Sequence, residues 1–311
     1  MDPITAILQT SILAGGVLAL AALGETLAEV VGVVNLGVEG LMALGAVAGV
    51  ATVVATHNPY LGFLAALALG FVFGMAFAAA TVLVRANQVL CGLALTLLGS
   101  GLAATVGKAY SGAPVPAVFG PAPLPWLSGL PILGKALFSQ NVLVYLIYMV
   151  LPVAMHVVLY RTRLGLDMRA VGENPAAADA AGVNVARIRF VSVSLGAALA
   201  AGAGAYLTLA FVPSWSEGVV AGRGWIAVSL VIFAGYRPIN AVGASLLFGL
   251  ITSLGFVGQA RNWPIAPAVL SMLPYLGTIA FIILPALASE RLRRLMAAPA
   301  ALGEPYFRDQ R

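Results

Sequence analysis

Glu25, Glu29, Asn35 and Glu39 stand between the first two apolar runs of a 311-residue chain that has only 11 acidic residues in all. Glu25/Glu29 and Asn35/Glu39 are i,i+4 pairs, so on a helix each pair shares one face. An ionisable group at membrane depth costs about 2.5–3.5 kcal/mol on insertion scales, so each invites a functional reading. Asn35 and Glu39 can border a path through a bilayer or its inner gate. The three carboxylates can instead pass protons along a relay. The plainer alternative is that these groups cap helices and pair with Arg85 or another arginine to lock a bundle. Glu217, beside Ser214 and Trp215, follows an apolar run ending at Pro213. It suits an external gate, a contact with a binding protein, or a solvated loop.

Other chemistry is thin. His57 and His156 share no spacing with carboxylates or with each other, and the single Cys91 allows neither a disulfide nor a cysteine metal cluster. Gly129–Lys135 has the spacing of a phosphate-binding G-x-x-x-x-G-K loop, but Ala136 replaces the Ser/Thr that would hold magnesium. There is no H-E-x-x-H and no G-x-S-x-G serine elbow. The chain is therefore expected to have no catalytic residues and to bind no cofactor or metal. If it pumps, a separate ATPase supplies the energy.

The elements that hold these groups follow from composition. Hydrophobic residues make up 61% of the chain and charged ones 9%, with a mean hydropathy of +1.01. Soluble domains carry about 25% charged residues, so this chain cannot be wrapped in a water-facing shell. A soluble enzyme, a nucleic-acid-binding module and a disordered chain are excluded. An all-α polytopic membrane protein remains, read as one transmembrane domain over residues 1–311. Runs of the roughly 20 apolar residues that a span needs fall near 7–24, 36–57, 60–84, 88–108, 141–160, 190–212, 239–258 and 265–289. A ninth, 225–236, is too short to cross alone and reads as a broken helix or half of a bent pair with 239–258. Eight or nine transmembrane or half-spanning helices are expected. Met1–Ser11 has neither a basic n-region nor an A-x-A site, so insertion is expected through the first helices themselves. Small residues four apart (Gly45/Gly49, Gly70/Gly74, Gly196/Ala200/Gly204) read as close helix packing.

Lys and Arg set the orientation. With 161–189 cytoplasmic, alternation puts twelve of the 16 basic residues inside, including Arg85, Arg237 and the tail arginines 291, 293, 294, 308 and 311. Lys108, Lys135, Arg223 and Arg261 fall outside. The C-terminus is then cytoplasmic, and nine crossings put the N-terminus outside where eight would put it inside. Residues 109–140, rich in proline and nearly uncharged, form an external loop that caps the bundle or meets a partner.

Residues 161–189 hold eight of the 27 charged residues and look like a water-exposed surface. Asn174-Pro175 is a helix start, since Asn caps and Pro suits the first helical position. Ala176–Ala181 favours helix, Gly182 is a fitting terminator, and Asn184 can cap the next helix. A short capped helix across the membrane face can fit a groove on another protein, or it can be an ordinary connecting loop.

The run RAVGENPAAADAAGVNV at Arg169–Val185 resembles the coupling-helix loop of permease subunits in bacterial ABC importers. Gly32–Gly45 (GVVNLGVEGLMALG) and Gly222–Gly249 (GRGWIAVSLVIFAGYRPINAVGASLLFG) are similar to segments of the same superfamily, which serves branched-chain amino acids, sugars and nucleosides. The first of these narrows the resemblance to the smaller, nucleoside-type permease. Tyr236-Arg237 stands where that family varies, and nothing before Gly24 is diagnostic.

The resemblance implies a type II-like importer fold in the bacterial cytoplasmic (inner) membrane and translocation of a nucleoside or purine-like base. Gly172, Glu173, Asn174, Pro175, Ala177, Ala181 and Gly182 would couple to the ATPase, and Asn35, Glu39 and Glu217 would border the path or gate. Implied partners are a larger homologous permease in a heterodimer, with a homodimer as alternative, a cytoplasmic ABC ATPase holding ATP and Mg, and an external substrate-binding lipoprotein. The lipid bilayer completes the set, with no nucleic acid. The rival is a proton-coupled secondary transporter using Glu25, Glu29 and Glu39.

Overall fold

In hydrocarbon every backbone N–H and C=O must be paired within its own segment, so apolar runs of this length become helices. The computed structural model describes residues 3–112, 114–125, 127, 128, 133–287, 290 and 296–308. Gly129–Pro131, Ile132, Arg291, Arg293, Arg294 and Arg311, which figure in the sequence reading, lie outside the described residues.

The helices are α1 (Pro3–Val30), α2 (Val38–Thr56), α3 (Pro59–Ala78), α4 (Gln88–Gly107), α5 (Leu133–Phe138), α6 (Val142–Tyr145), α7 (Leu151–Arg161), α8 (Arg163–Glu173), α9 (Pro175–Ala180), α10 (Val185–Tyr206), α11 (Arg223–Phe233), α12 (Pro238–Ala260) and α13 (Pro267–Leu287). Wider π-helical turns extend α3 over Ala79–Leu83 and α10 over Leu207–Phe211, and join α6 to α7 through Leu146–Val150. Among the described residues seven helices are long and apolar enough to cross a membrane, and Arg223–Phe233 and Pro267–Ala280 are shorter apolar helices. The nine apolar runs of the sequence are thus all helical, and the doubtful one, near 225–236, is a short helix of its own. A turn with two left-handed residues, Gly235 and Tyr236, separates it from α12.

α10 is the centre of the bundle, packing along α1, α2 and α3, while α12 covers the other flank of α1. Small residues allow it. A Cβ on Gly45 would fall on the Ala201 carbonyl, one on Gly204 on the Met42 carbonyl, and one on Gly70 on the Ala201 methyl. Backbones in van der Waals contact supply the attraction that lipid-solvated helices otherwise lack. Gly45→Val is expected to cost about 1–3 kcal/mol through overpacking. The check is a lower thermal midpoint in detergent, and an unchanged midpoint would contradict the packing role.

Gly24 lies against Gly196 and Gly16 against Tyr206, so α1 runs antiparallel to α10, whereas Met42 against Gly204 and Ala46 against Thr208 make α2 parallel to it. The bundle therefore has an α8–α9 end and an opposite end. At the opposite end the proline-rich loop lies over the helices. Phe119 donates its N–H to Leu209 and meets the rings of Tyr60 and Phe63 edge-on, and Ser111 and Pro114 bridge to Trp215 and Ser214.

Candidate functional site

α1 ends at Val30, Gly32 (φ +85) turns the chain, and α2 starts only at Val38. Gly32 and Val33 close a turn onto the Glu29 and Ala28 carbonyls, and from Val34 to Gly37 the chain climbs through the bundle without helical hydrogen bonds. Gly32 lies against Arg189 near the start of α10, while Met42 lies against Gly204, fifteen residues further along that helix. At 1.5 Å per residue that is about 22 Å, of which Val38–Met42 at the start of α2 covers about 6 Å. Irregular backbone at such depth is tolerated only where protein or a cavity satisfies it.

Side chains from three helices do so here. The Val31 carbonyl accepts Arg189 Nε (3.0 Å), and the Val34 N–H donates to Gln88 Oε1 (2.8 Å). The Asn35 N–H donates to Glu25 Oε1 (2.8 Å), and the Leu36 carbonyl accepts from Thr96 Oγ1 (2.8 Å). Asn35 turns its own Oδ1 onto the Gly37 N–H (2.9 Å). Glu25, Asn35, Gln88 and Arg189 are all buried. Gln88 and Thr96 were not singled out by the sequence reading, although their spacing places them on one face of α4 with Gly92 between.

A second interrupted crossing comes from the opposite end. After α10 the chain folds inward over Val212–Ala221, and α11 begins behind Gly222 (φ +75), which has no side chain to cap it. Glu39 supplies the cap: Oε1 accepts from Gly222 N (2.8 Å) and Oε2 from Gly224 N (2.7 Å). The first turns of α2 and α11 therefore meet inside the bundle around one carboxylate, which also faces the positive end of the α11 dipole. Arg223 braces the loop through the carbonyls of Val219 and Val220 (both 2.9 Å), and Tyr275 of α13 donates to the Ala221 carbonyl.

This geometry corrects several expectations. Asn35 and Glu39 share no helical face, because Asn35 precedes α2. Arg85 pairs with none of the three glutamates among the described contacts; its guanidinium lies 5.0 Å from the centre of the Phe307 ring. Arg223, the first residue of α11, lies half-buried beside Glu39. The helix-capping alternative holds for Glu39, though the helix it caps is α11. Glu39 and Glu217 line one cavity of about 200 Å³ together with Ser100 and Trp215, whereas Asn35 lies outside it. Glu29 stays buried near Glu25, with no hydrogen-bond partner for its Oε2 among the described residues. His57 ends α2 in the left-handed conformation and is exposed, and His156 stacks on Tyr160 at 4.8 Å.

At the other candidate site, Asn174 leaves the helical region (φ −149°, ψ 90°) and its Oδ1 accepts from Ala177 N (3.0 Å), with Pro175 in the first turn of α9. Gly182 closes the element at φ +89, and Asn184 Oδ1 caps α10 through Arg187 N (2.9 Å). Ala178 is buried beneath α9, while Ala176, Ala177, Ala180, Ala181 and Gly182 face outward. Two of the seven coupling candidates have internal roles. Gly172 is buried with its Cα against the Val30 carbonyl, and Glu173 Oε2 accepts from Ala300 N (3.3 Å). Arg85, Arg169, Arg189, Arg237 and Arg308 all gather at this end.

Over residues 7–282 the chain matches the family described as branched-chain amino acid transport system / permease component. It is 37% identical to the putative glucose ABC transporter permease protein TsgC13 of Haloferax volcanii, over 97% of this chain and 98% of that one. Identity is 32% with the guanosine ABC transporter permease protein NupQ of Bacillus subtilis (94% of each chain). It is 34% with the nucleoside ABC transporter permease protein NupC of Lactococcus lactis (83% and 84%). No solved structure matches.

Proposed function

The chain belongs to this family of permease components, and on that premise we propose that it is a single-domain, non-catalytic translocation subunit of an ATP-driven importer. The observation that carries the reading is α9: a six-residue helix of small side chains, exposed and held between two Asn-capped turns at the arginine-rich end. Such an element has no use in lipid but suits a groove on a soluble partner. That partner would be a cytoplasmic ABC ATPase bringing ATP and Mg, which places the α8–α9 end and the C-terminus on the cytoplasmic side of the inner membrane. A larger homologous permease would complete the pore, and an external lipoprotein would deliver the solute. Asn174, Pro175, Ala177, Ala181 and Gly182 would form the docking face, with Gly172 and Glu173 fixing it to the bundle. Glu39 and Glu217 would border the path, and Asn35 would hold the crossing beside it.

The cargo is a small polar solute, a nucleoside or purine-like base. The guanosine and nucleoside permeases among the relatives support this choice, and the sugar permease marks its nearest competitor. The experiment is uptake of labelled guanosine into vesicles bearing the reconstituted importer, with unlabelled glucose as competitor. ATP-dependent guanosine uptake unaffected by glucose is expected; uptake blocked by glucose would assign a sugar.

One observation favours the proton-relay reading: the buried Glu29 oxygen beside Glu25, without a partner among the described residues. A protonophore separates the two. With ATP present, uptake by the importer is expected to persist, and its abolition would favour the relay.

A further inference from the structure

The chain returns to its own core after α13. Residues 299–308 lie across the α8–α9 end and touch each part that a coupling movement would have to join. Ala301 N donates to the Gly172 carbonyl (2.9 Å) and Ala300 N to Glu173 Oε2 (3.3 Å), both at the end of α8. Gly303 N donates to the Gly32 carbonyl (3.1 Å), at the foot of the interrupted crossing. Arg189 bridges the two, with Nε on the Val31 carbonyl (3.0 Å) and Nη1 on the Glu304 carbonyl (2.9 Å). On α9, Asp179 Oδ2 accepts from the Tyr306 hydroxyl (3.1 Å) and pairs with Arg308 (3.0 Å). Phe307 lies under the Arg85 guanidinium at the end of α3.

We infer that residues 299–308 are a positioning strap that carries the movement of α9 to the interrupted crossing at Gly32–Asn35, and through it to Glu39 at the α2–α11 junction. The physical case rests on what is bonded to what. α9 itself is joined to the bundle by short turns on either side, and Ala178, the end of α8 and the start of α10 lie against it. The strap adds a second connection, from Asp179 to Gly32: side chains join it to α9, and two backbone hydrogen bonds seat it on Gly172 and Gly32 in one register. Ala301 is buried in that seat, and Gly303 takes φ +82, a conformation that a branched residue enters only under strain. Along the chain Gly32 leads directly into the Val33–Gly37 segment whose amides Glu25 and Gln88 hold. A displacement of α9 is thus delivered to non-helical backbone, which can move by changing φ and ψ without breaking a helix.

The inference rests on the importer reading, and its test keeps the two apart. The complete importer, with partner permease, ATPase and binding protein, is reconstituted with this chain intact, with Gly303→Val, or ending at Ala298. Solute taken up per ATP hydrolysed is measured at equal amounts of assembled transporter. The expected result is a fall of about tenfold in that ratio for both variants, with the ATPase still co-purifying and still hydrolysing ATP. A strap that only stabilised the fold would lower the amount of transporter and leave the ratio unchanged. An unchanged ratio in the two variants, beside a coupled wild type, overturns the strap alone. A wild-type assembly with no ATP-driven uptake overturns the importer reading and the strap with it. Should the truncated chain fail to assemble, Gly303→Val decides, since it leaves every other contact residue in place.

Discussion

Ala177→Glu is expected to release the ATPase from the permease while leaving the permease at least as stable as before. Ala177 is the third residue of α9, and its N–H is the one that Asn174 caps. A glutamate there adds a negative charge near the positive end of a helix, which is favourable, while the Asn174 N–H stays on the Ala170 carbonyl (2.8 Å). The side chain is exposed, so nothing inside the fold must move. On a docked face the same change buries a carboxylate against a surface that had met a methyl group. Central interface positions lose about 2 kcal/mol or more when disrupted, roughly thirtyfold in affinity. The measurement is paired: thermal midpoint of the isolated permease in detergent, and recovery of ATPase by affinity isolation. Intact ATPase binding together with full uptake would remove α9 from the interface. The internal control is Ala178→Glu, which puts the charge into the buried side of the same helix and should lower the midpoint itself.

The short loop was legible because its signals are local. Asn before Pro, an alanine run, Gly182 and Asn184 each act within a turn, and the observed caps fall on those residues. Helix positions were legible for a similar reason, since a span is a run of apolar residues. The interrupted crossing was not. Periodicity over Glu25–Glu39 reads as two helical pairs, because spacing carries no sign that Asn35 sits in extended backbone held by Glu25. A hint lay elsewhere: Gln88 and Thr96, two hydrogen-bonding residues on one face of an otherwise apolar α4, demand a non-helical partner at membrane depth. The role of Glu39 was unreadable in principle, because its partners Gly222 and Gly224 lie 183 and 185 residues away and offer backbone amides, which every residue has. The tail showed the same blind spot. Its basic residues gave orientation, but its seat on Gly32 and Gly172 is made by main-chain groups.

Glu39→Ala is expected to end transport, and Glu39→Gln to separate the capping role from proton transfer. Alanine leaves the part-buried Gly222 and Gly224 N–H groups without their carboxylate acceptor. Each unsatisfied buried donor costs about 1–3 kcal/mol, so the pair amounts to about 2–6 kcal/mol. That is enough to detach the start of α11 from α2 and open the junction where the two interrupted crossings meet. Glutamine keeps one carbonyl acceptor but turns an NH2 toward the other amide, so it should retain one hydrogen bond and lose about half the stabilisation. Graded loss of thermal midpoint and uptake, in the order Glu, Gln, Ala, is the result that fits a cap. A proton relay predicts a different pattern: glutamine, which cannot release a proton, would behave like alanine in transport while remaining stable. Both oxygens of Glu39 already accept from amides at 2.7–2.8 Å. With one oxygen on each amide, the carboxylate is built to hold two helices together at the point where the path must open.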